Sequence, residues 1–336
     1  MVELVAREIF TVTKIALLGC GGWGKNLARN LSEISALHTI VDPDAKAATI
    51  AAQLNVNHVA NPEVALNDPA IVGIAIATPA ETHYALAMRA LNAGKDVYVE
   101  KPIALTISEG EEMVRTARAA RRVLMVGHIL HYHPAFRRLL ELVRDGAFGP
   151  LRHIISNRMS LGRLREEENV LWSFAPHDLS MICALANSMP VRARAIGAHF
   201  LSDTLEDVTS VHVDFSGGLV AEVRSSWCHP RKIQSLTVVG EHSMAVFDDT
   251  RAWPEKLFLC DYSVDRTRSP SNLVRGEERF LEVTPGEPLK LEMQHFIDCI
   301  EKRRDPVTHG AEALRVLRVL QAAQGSLEQD GAWVHV

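Results

Sequence analysis

Residues 14–24, KIALLGCGGWG, decide the fold. The first half is a short apolar run ending in glycine, which reads as a buried strand. The second half fits G-x-G-x-x-G through Gly19, Gly21 and Gly24. Alone, that pattern also fits an ordinary tight turn. Here it follows a strand and opens a helix, because NLARNLSEI (26–34) puts Leu27, Leu31 and Ile34 at helical spacing. A second apolar run, LHTIVD (37–42), ends in the acid Asp42, and an acid about 20 residues after such a turn is the context that a dinucleotide site requires.

Working outward, the alternation continues. AKAATIAAQL (45–54) reads as a helix, IVGIAIATP (71–79) as a strand, and ETHYALAMRALNAG (81–94) as a helix closed by Gly94. DVYVEKP (96–102) is a strand, SEGEEMVRTARAA (108–120) a helix capped by Ser108 with Glu111 three residues on, and VLMVGH (123–128) a further strand. Strands that are apolar throughout, separated by amphipathic helices, imply a parallel sheet covered on both faces. Ligands of such a sheet bind at the carboxyl ends of its strands, where Gly19, Asp42, Thr78, Glu100, Lys101 and His128 all fall.

The glycines let the backbone approach a pyrophosphate, and the helix start supplies N–H groups and partial positive charge. Gly22 and Trp23 lie inside the same turn. Asp42 suits the ribose hydroxyls and repels a 2′-phosphate, and Pro43, Asp44 and Ala45 offer no arginine to offset it. NAD is therefore expected in preference to NADP. Ala77, Thr78 and Pro79 should lie against the cofactor, with His83 either a polar contact near the nicotinamide side or a surface histidine. Lys101 precedes a proline and is biased to stay extended. Its ammonium at the sheet edge can donate to a substrate hydroxyl and help to take its proton, with a pKa lowered by desolvation. Glu100 would contact the cofactor or orient the lysine; the bland alternative is a surface ion pair after a strand.

The second half reads differently. PAFRRLLELVRDGAFG (134–149) is a helix with a glycine stop, and LRHIISNRMSL (151–161) and VRARAIGAHFL (191–201) are strands. Residues 210–227 and 235–247 alternate around 216–218 and Gly240, which predicts hairpins of one broad antiparallel sheet. Its second face needs a cover, so a homodimer or homotetramer through this sheet is expected. Two amphipathic helices, 288–306 and 310–327, are expected to pack back on the first domain. The boundary is placed between 1–128 and 129–336. In VLWSFAPHDLSMI (170–182) a helix is expected to start near Pro176, with His177 and Asp178 in its first turn, and His177 is suited to shuttle a proton. GHILHYHP (127–134) gathers His128, His131 and His133 but no neighbouring acid, so no metal is expected; His128 and Tyr132 are read as site lining.

Bulk properties exclude other classes. The chain has 336 residues and a net charge of −5, so no basic field draws nucleic acid, and REEEN (165–169) reads as a solvated loop. The five cysteines form no CxxC pair, which fits reduced thiols in the cytoplasm. Residues 1–14 lack the apolar core of a signal peptide, and no apolar run is long enough to span a bilayer.

Taken together, G-x-G-x-x-G at 19–24, Asp42, ATP at 77–79 and EKP at 100–102 resemble the glucose–fructose oxidoreductase / inositol dehydrogenase (Gfo/Idh/MocA) family, over nearly the whole chain. The resemblance implies an α/β Rossmann domain plus an α+β domain with an open, mostly antiparallel sheet. It implies hydride movement between NAD(P) and a sugar or polyol carbon, with Lys101 and His177 catalytic. The family often has an aspartate four residues before that histidine, where this chain has Ser173, so the orienting partner of His177 is open. Residues 157–182 resemble the branch that oxidises the 3-hydroxyl of UDP-N-acetylglucosamine or its uronate. That likeness implies substrate contacts from Lys101, Tyr132, Asn157, Arg158, Arg163, Arg165, Trp172, His177 and Asp178, with the arginines meeting the diphosphate. The alternatives are a dehydrogenase of a free sugar or inositol, and a non-catalytic NAD-binding sensor.

Overall fold

A computed structural model describes residues 13–162, 165–265, 267 and 269–336. Arg163 lies outside the described residues. The first sheet is parallel, ordered β3-β2-β1-β4-β5-β6, from β1 (Ile15–Leu18), β2 (Leu37–Val41), β3 (Asn57–Val59), β4 (Gly73–Ile76), β5 (Asp96–Glu100) and β6 (Leu124–Gly127). Helices α1 (Gly24–Glu33), α2 (Lys46–Gln53), α3 (Pro62–Leu66), α4 (His83–Asn92) and α5 (Ile107–Ala119) connect the strands. Every residue of β1, β4, β5 and β6 is buried, which is why these strands show no alternation in sequence. The strand order reverses at β1, which pairs with β2 on one side and β4 on the other, so a crevice opens at their carboxyl ends.

The cap of α5 differs from expectation. Thr106, not Ser108, is the N-cap, and it forms a capping box with Glu109. Both pairs have the same spacing. The earlier start wins because Thr106 has the extended backbone that a cap needs and because it turns Gly110, Met113 and Ala117 toward the core.

The second half contains α6 (Pro134–Arg144), β7 (His153–Leu161), α7 (Val170–Ala186), β8 (Pro190–Ala198), β9 (Val208–Phe215), β10 (Val220–Ser226), β11 (Cys228–Val239), β12 (Ser243–Asp248), β13 (Leu257–Asp265), β14 (Asn272–Phe280), α8 (Pro288–Lys302), α9 (Gly310–Leu327) and β15 (Val334–His335). Among the described residues its nine strands form one sheet, β14-β13-β12-β11-β7-β10-β9-β8-β15, antiparallel except where β7 runs parallel to β10. This is the open, mostly antiparallel sheet that the resemblance implies. Among the described residues no helix is long and apolar enough to cross a membrane.

The last two helices return to the first sheet. Leu289, Met293, Phe296 and Ile300 of α8 join the core of the α1 face. Leu314 and Leu317 of α9 join the core of the α5 face, while Val316, Val319 and Leu320 of the same helix enter the core under α7 and the second sheet. One helix thus belongs to two cores and fixes α7 over the strand ends.

Helix α7 starts earlier than expected. It begins at Val170, capped by the Asn169 side chain, which accepts from Trp172 N at 3.2 Å. Pro176 sits inside it rather than at its start. Val170, Leu171 and Ala175 are buried, and that burial favours extending the helix through the proline.

Candidate active site

The glycine turn leaves one side open. Gly19 has φ +87°, and a Cβ there would lie 2.8 Å from the Ala77 carbonyl oxygen. A Cβ on Gly24 would lie 2.1 Å from the Gly19 carbonyl oxygen, whereas one on Gly21 or Gly22 would meet nothing within 4 Å. The turn is therefore closed against its own backbone and open where a pyrophosphate would approach. Trp23 caps α1 without a side-chain hydrogen bond, so no side chain competes for the first N–H groups. Asp42 accepts from Cys20 N at 2.7 Å and Asp44 N at 2.8 Å, tying the end of β2 to the turn. Each oxygen keeps a lone pair for a ribose hydroxyl. These residues fit a dinucleotide. Asp42→Ala is expected to raise the Kd of NAD about tenfold or more and to narrow the gap to NADP, because a hydrogen bond to a charged group is worth about 1.5–3 kcal/mol; fluorescence titration with each dinucleotide measures both effects.

His83 is neither on the surface nor free. Its Nδ1 lies 2.8 Å from the Pro102 carbonyl and its Nε2 3.0 Å from the Thr78 carbonyl. It ties the residue after Lys101 to the end of β4. A neutral ring has one N–H and donates to one carbonyl at a time, and burial lowers its pKa.

Lys101, at the end of β5, donates from Nζ to the Ser173 carbonyl at 3.0 Å. A carbonyl oxygen has two lone pairs, so the Ser173 carbonyl can accept from the lysine as well as from its own helix. Burial pushes the Lys101 ammonium below its ordinary pKa, while Glu168 and Glu100 pull it back. His177 lies one turn on from Ser173. Burial, then the charges of Lys101 and Arg158, hold its imidazole well below the ordinary value, so the ring is neutral at physiological pH. Its Nδ1 is buried with no hydrogen-bond partner among the described residues. Ser173, where the family often has an aspartate, has a buried hydroxyl that is likewise unpartnered among the described residues.

Asp178 does not orient His177. It takes a bidentate pair from Arg158, Nε at 2.7 Å and Nη2 at 3.2 Å, and the Ser156 hydroxyl at 2.6 Å. Lys101, His177, Arg158, Arg165, Trp172, Trp23, Glu100 and the segment Ala77–Pro79 line one cleft of about 810 Å³. Asp178 and three other expected site residues, Asn157, Tyr132 and His128, do not line it. Asn157 is on the opposite face of β7 from buried Ser156 and Arg158, and its amide donates to Ser235 Oγ at 3.4 Å. Tyr132 is in the core, with its hydroxyl 3.1 Å from that of Thr308. His128 is buried behind the cleft. There α9 supplies the acid that its sequence neighbourhood lacks: Glu312 lies 4.0 Å from both His128 and His131, with its pKa pushed up to about 8 by burial. His133 turns away, caps α6 and meets Asp249 at 3.2 Å. Among the described residues no His, Cys, Asp or Glu group is placed to hold a metal ion. Gln234 of β11 and Gln324 of α9 also line the cleft. They arrive by register and packing, so no local sequence signal marks them.

A parallel sheet with an open glycine turn and an acid at its switch point, facing a half-buried lysine and a neutral imidazole, defines a nicotinamide-dependent oxidoreductase. Residues 13–128 match the family described as "Oxidoreductase family, NAD-binding Rossmann fold", and residues 136–246 match the "GFO/IDH/MocA C-terminal domain". The chain belongs to the Gfo/Idh/MocA family and is an NAD-binding oxidoreductase. It is 28% identical over 315 residues to the UDP-N-acetylglucosamine 3-dehydrogenase of Acidithiobacillus ferrooxidans, covering 90% of this chain and 94% of that one. The solved structure of that enzyme, GnnA, superposes with a TM-score of 0.82 at 23% identity over 94% of this chain and 97% of that one. GenD2 from gentamicin A biosynthesis, solved in complex with NAD, superposes with a TM-score of 0.82 at 21% identity over 99% of each chain.

Proposed function

We propose that this enzyme oxidises a sugar ring hydroxyl to a ketone with NAD, and that its substrate is the 3-hydroxyl of a UDP-N-acetylated sugar. The observation that carries this reading is the pairing of Lys101 with an uncharged His177 in one cleft that Arg158 and Arg165 also line. Gly21, Gly22, the start of α1 and Asp42 would hold the dinucleotide, which supplies the hydride acceptor when bound. His177, neutral and without a competing partner on Nδ1, takes the hydroxyl proton. The Lys101 ammonium donates a hydrogen bond to the same oxygen and steadies the negative charge that grows there. Arginine's fork suits the diphosphate, and the 28% identity to a UDP-N-acetylglucosamine 3-dehydrogenase supports that substrate.

A second reading, a free-sugar or inositol dehydrogenase, is favoured by one observation: Arg158 already pairs with Asp178, and Arg165 with Glu168. NADH formation from NAD with UDP-N-acetylglucosamine, its uronate, glucose and myo-inositol separates the two. Mass spectrometry of the product should accompany it, to detect an uphill ketone. Turnover of a UDP-sugar is expected; turnover of a free polyol alone overturns the nucleotide-sugar reading.

A second copy of the chain is proposed to cover the open face of the second sheet. Register carries a row of Phe258, Val246, Thr237 and Ile155 across that face, all half-buried. Sedimentation velocity is expected to give a dimer or tetramer.

A further inference from the structure

One phenol joins two buried carboxylates behind the cleft. Tyr98 Oη lies 2.9 Å from Glu100 Oε1 and 3.2 Å from Glu292 Oε2. Tyr98 and Glu292 are 0% exposed and Glu100 is 9% exposed. A phenol has one hydrogen, so it donates to one carboxylate only. The other carboxyl must bring its own hydrogen and donate to the phenol oxygen, since two like charges cannot share so small a dry site.

The neighbours decide which carboxyl is the acid. Glu100 accepts the Trp23 indole N–H at 2.6 Å and the Lys101 backbone N–H at 3.3 Å, and it stands beside the Lys101 ammonium. Glu292 has no such support. Its Oε1 is buried with no partner among the described residues, and the titratable groups that act on it are Glu100, Tyr98 and Tyr132, none of them a cation. The backbone makes room for the arrangement: a Cβ on Gly127 would lie 2.6 Å from Tyr98 Oη and 2.9 Å from Glu100 Oε2.

We propose that Glu292 and Tyr98 are positioning residues: Glu292 stays a neutral acid that donates to the Tyr98 oxygen, and the Tyr98 hydroxyl donates to Glu100, keeping that carboxylate an anion beside Lys101. This rests on the role given to Lys101 above. Burial and the Glu100 charge push the Glu292 carboxyl well above the usual range. Burial also raises Glu100, and the Trp23 and Tyr98 donors oppose the rise. The Glu100 charge in turn supports the proton on Lys101, which also faces Glu168, Arg165, Arg158, His177, His128 and His83.

The test reads Lys101 directly. Competitive labelling of the full chain with acetic anhydride, scored at Lys101 by peptide mass spectrometry across pH, reports its protonation without turnover. An enzyme inactive on every sugar would therefore leave this result readable. Tyr98→Phe removes a donor from Glu100, so the Lys101 midpoint is expected to fall by about one pH unit. Glu292→Gln can still donate to the phenol and cannot ionise, so its midpoint is expected to match the wild type. An unmoved midpoint in Tyr98→Phe overturns the proposal, since a purely structural role would lower stability alone. A shift in Glu292→Gln as large as that in Tyr98→Phe also overturns it, because Glu292 would then be the charged member. If Tyr98→Phe does not fold, Tyr98→Phe/Glu292→Leu leaves no stranded polar group and is expected to show the same fall.

Discussion

Lys101→Ala is expected to lower kcat by about 10²- to 10⁴-fold, the usual contribution of a positioned proton donor or acceptor, while the Kd of NAD stays within about twofold. The lysine is held in place for the proposed role from three sides. Its Nζ is anchored on the Ser173 carbonyl, its following residue is tied by His83 to β4, and its charge is supported by Glu168 and Glu100. The dinucleotide turn lies on other strands, so cofactor binding does not need this side chain. The pH profile of kcat/KM separates the roles. In the proposed mechanism His177 acts as the neutral base, and burial and nearby charges hold its pKa well below 6.5, so the rate is expected to rise with pH on a limb below that value. In the same mechanism Lys101 acts as the protonated donor, and burial lowers its pKa, so the falling limb is expected below the ordinary 10.5. His177→Ala should remove the acid limb and Lys101→Ala the alkaline one. A rate that climbs as Lys101 loses its proton would make the lysine the base and overturn the assignment.

How much of this could be read from the sequence depended on how local each cause was. The first sheet was legible because buried parallel strands are apolar at every position, and β1, β5 and β6 read as such. The short β3 and α3 carry too few residues for any period to show. At the start of helix α7 the sequence misleads, because Pro176 imitates a first-turn proline, whereas the burial of Val170 and Leu171 that carries the helix through it is a tertiary fact. The sequence of β7 shows a strand but not which of its faces is inward. Its inward set of Ile154, Ser156 and Arg158 is as polar as its outward one, so alternation could not show that Arg158 enters the cleft and Asn157 leaves it. The destination of Asp178 followed from that same parity.

The pair so formed carries the largest expected effect on stability. Asp178→Ala is expected to destabilise the fold by about 3–5 kcal/mol, the usual result of removing one partner of a buried ion pair. Arg158 is 8% exposed and gives both Nε and Nη2 to Asp178; without that acceptor its charge stays in a nearly dry interior. The Ser156 hydroxyl loses its 2.6 Å acceptor in the same step. The damage should reach the chemistry as well. Arg158 already depresses the His177 imidazole, and an uncompensated guanidinium presses harder, so the acid limb of the profile should move to still lower pH and the base should weaken. Arg158→Met/Asp178→Leu tests whether the pair is present for stability or for the site. Replacing a buried ion pair by apolar residues of similar size is often neutral or stabilising, so the double variant should recover most of the lost denaturation midpoint. It removes the guanidinium from the cleft, so its KM for a UDP-sugar should stay raised while its kcat recovers. Recovery of KM as well would show that Arg158 supports the helix and does not meet the substrate.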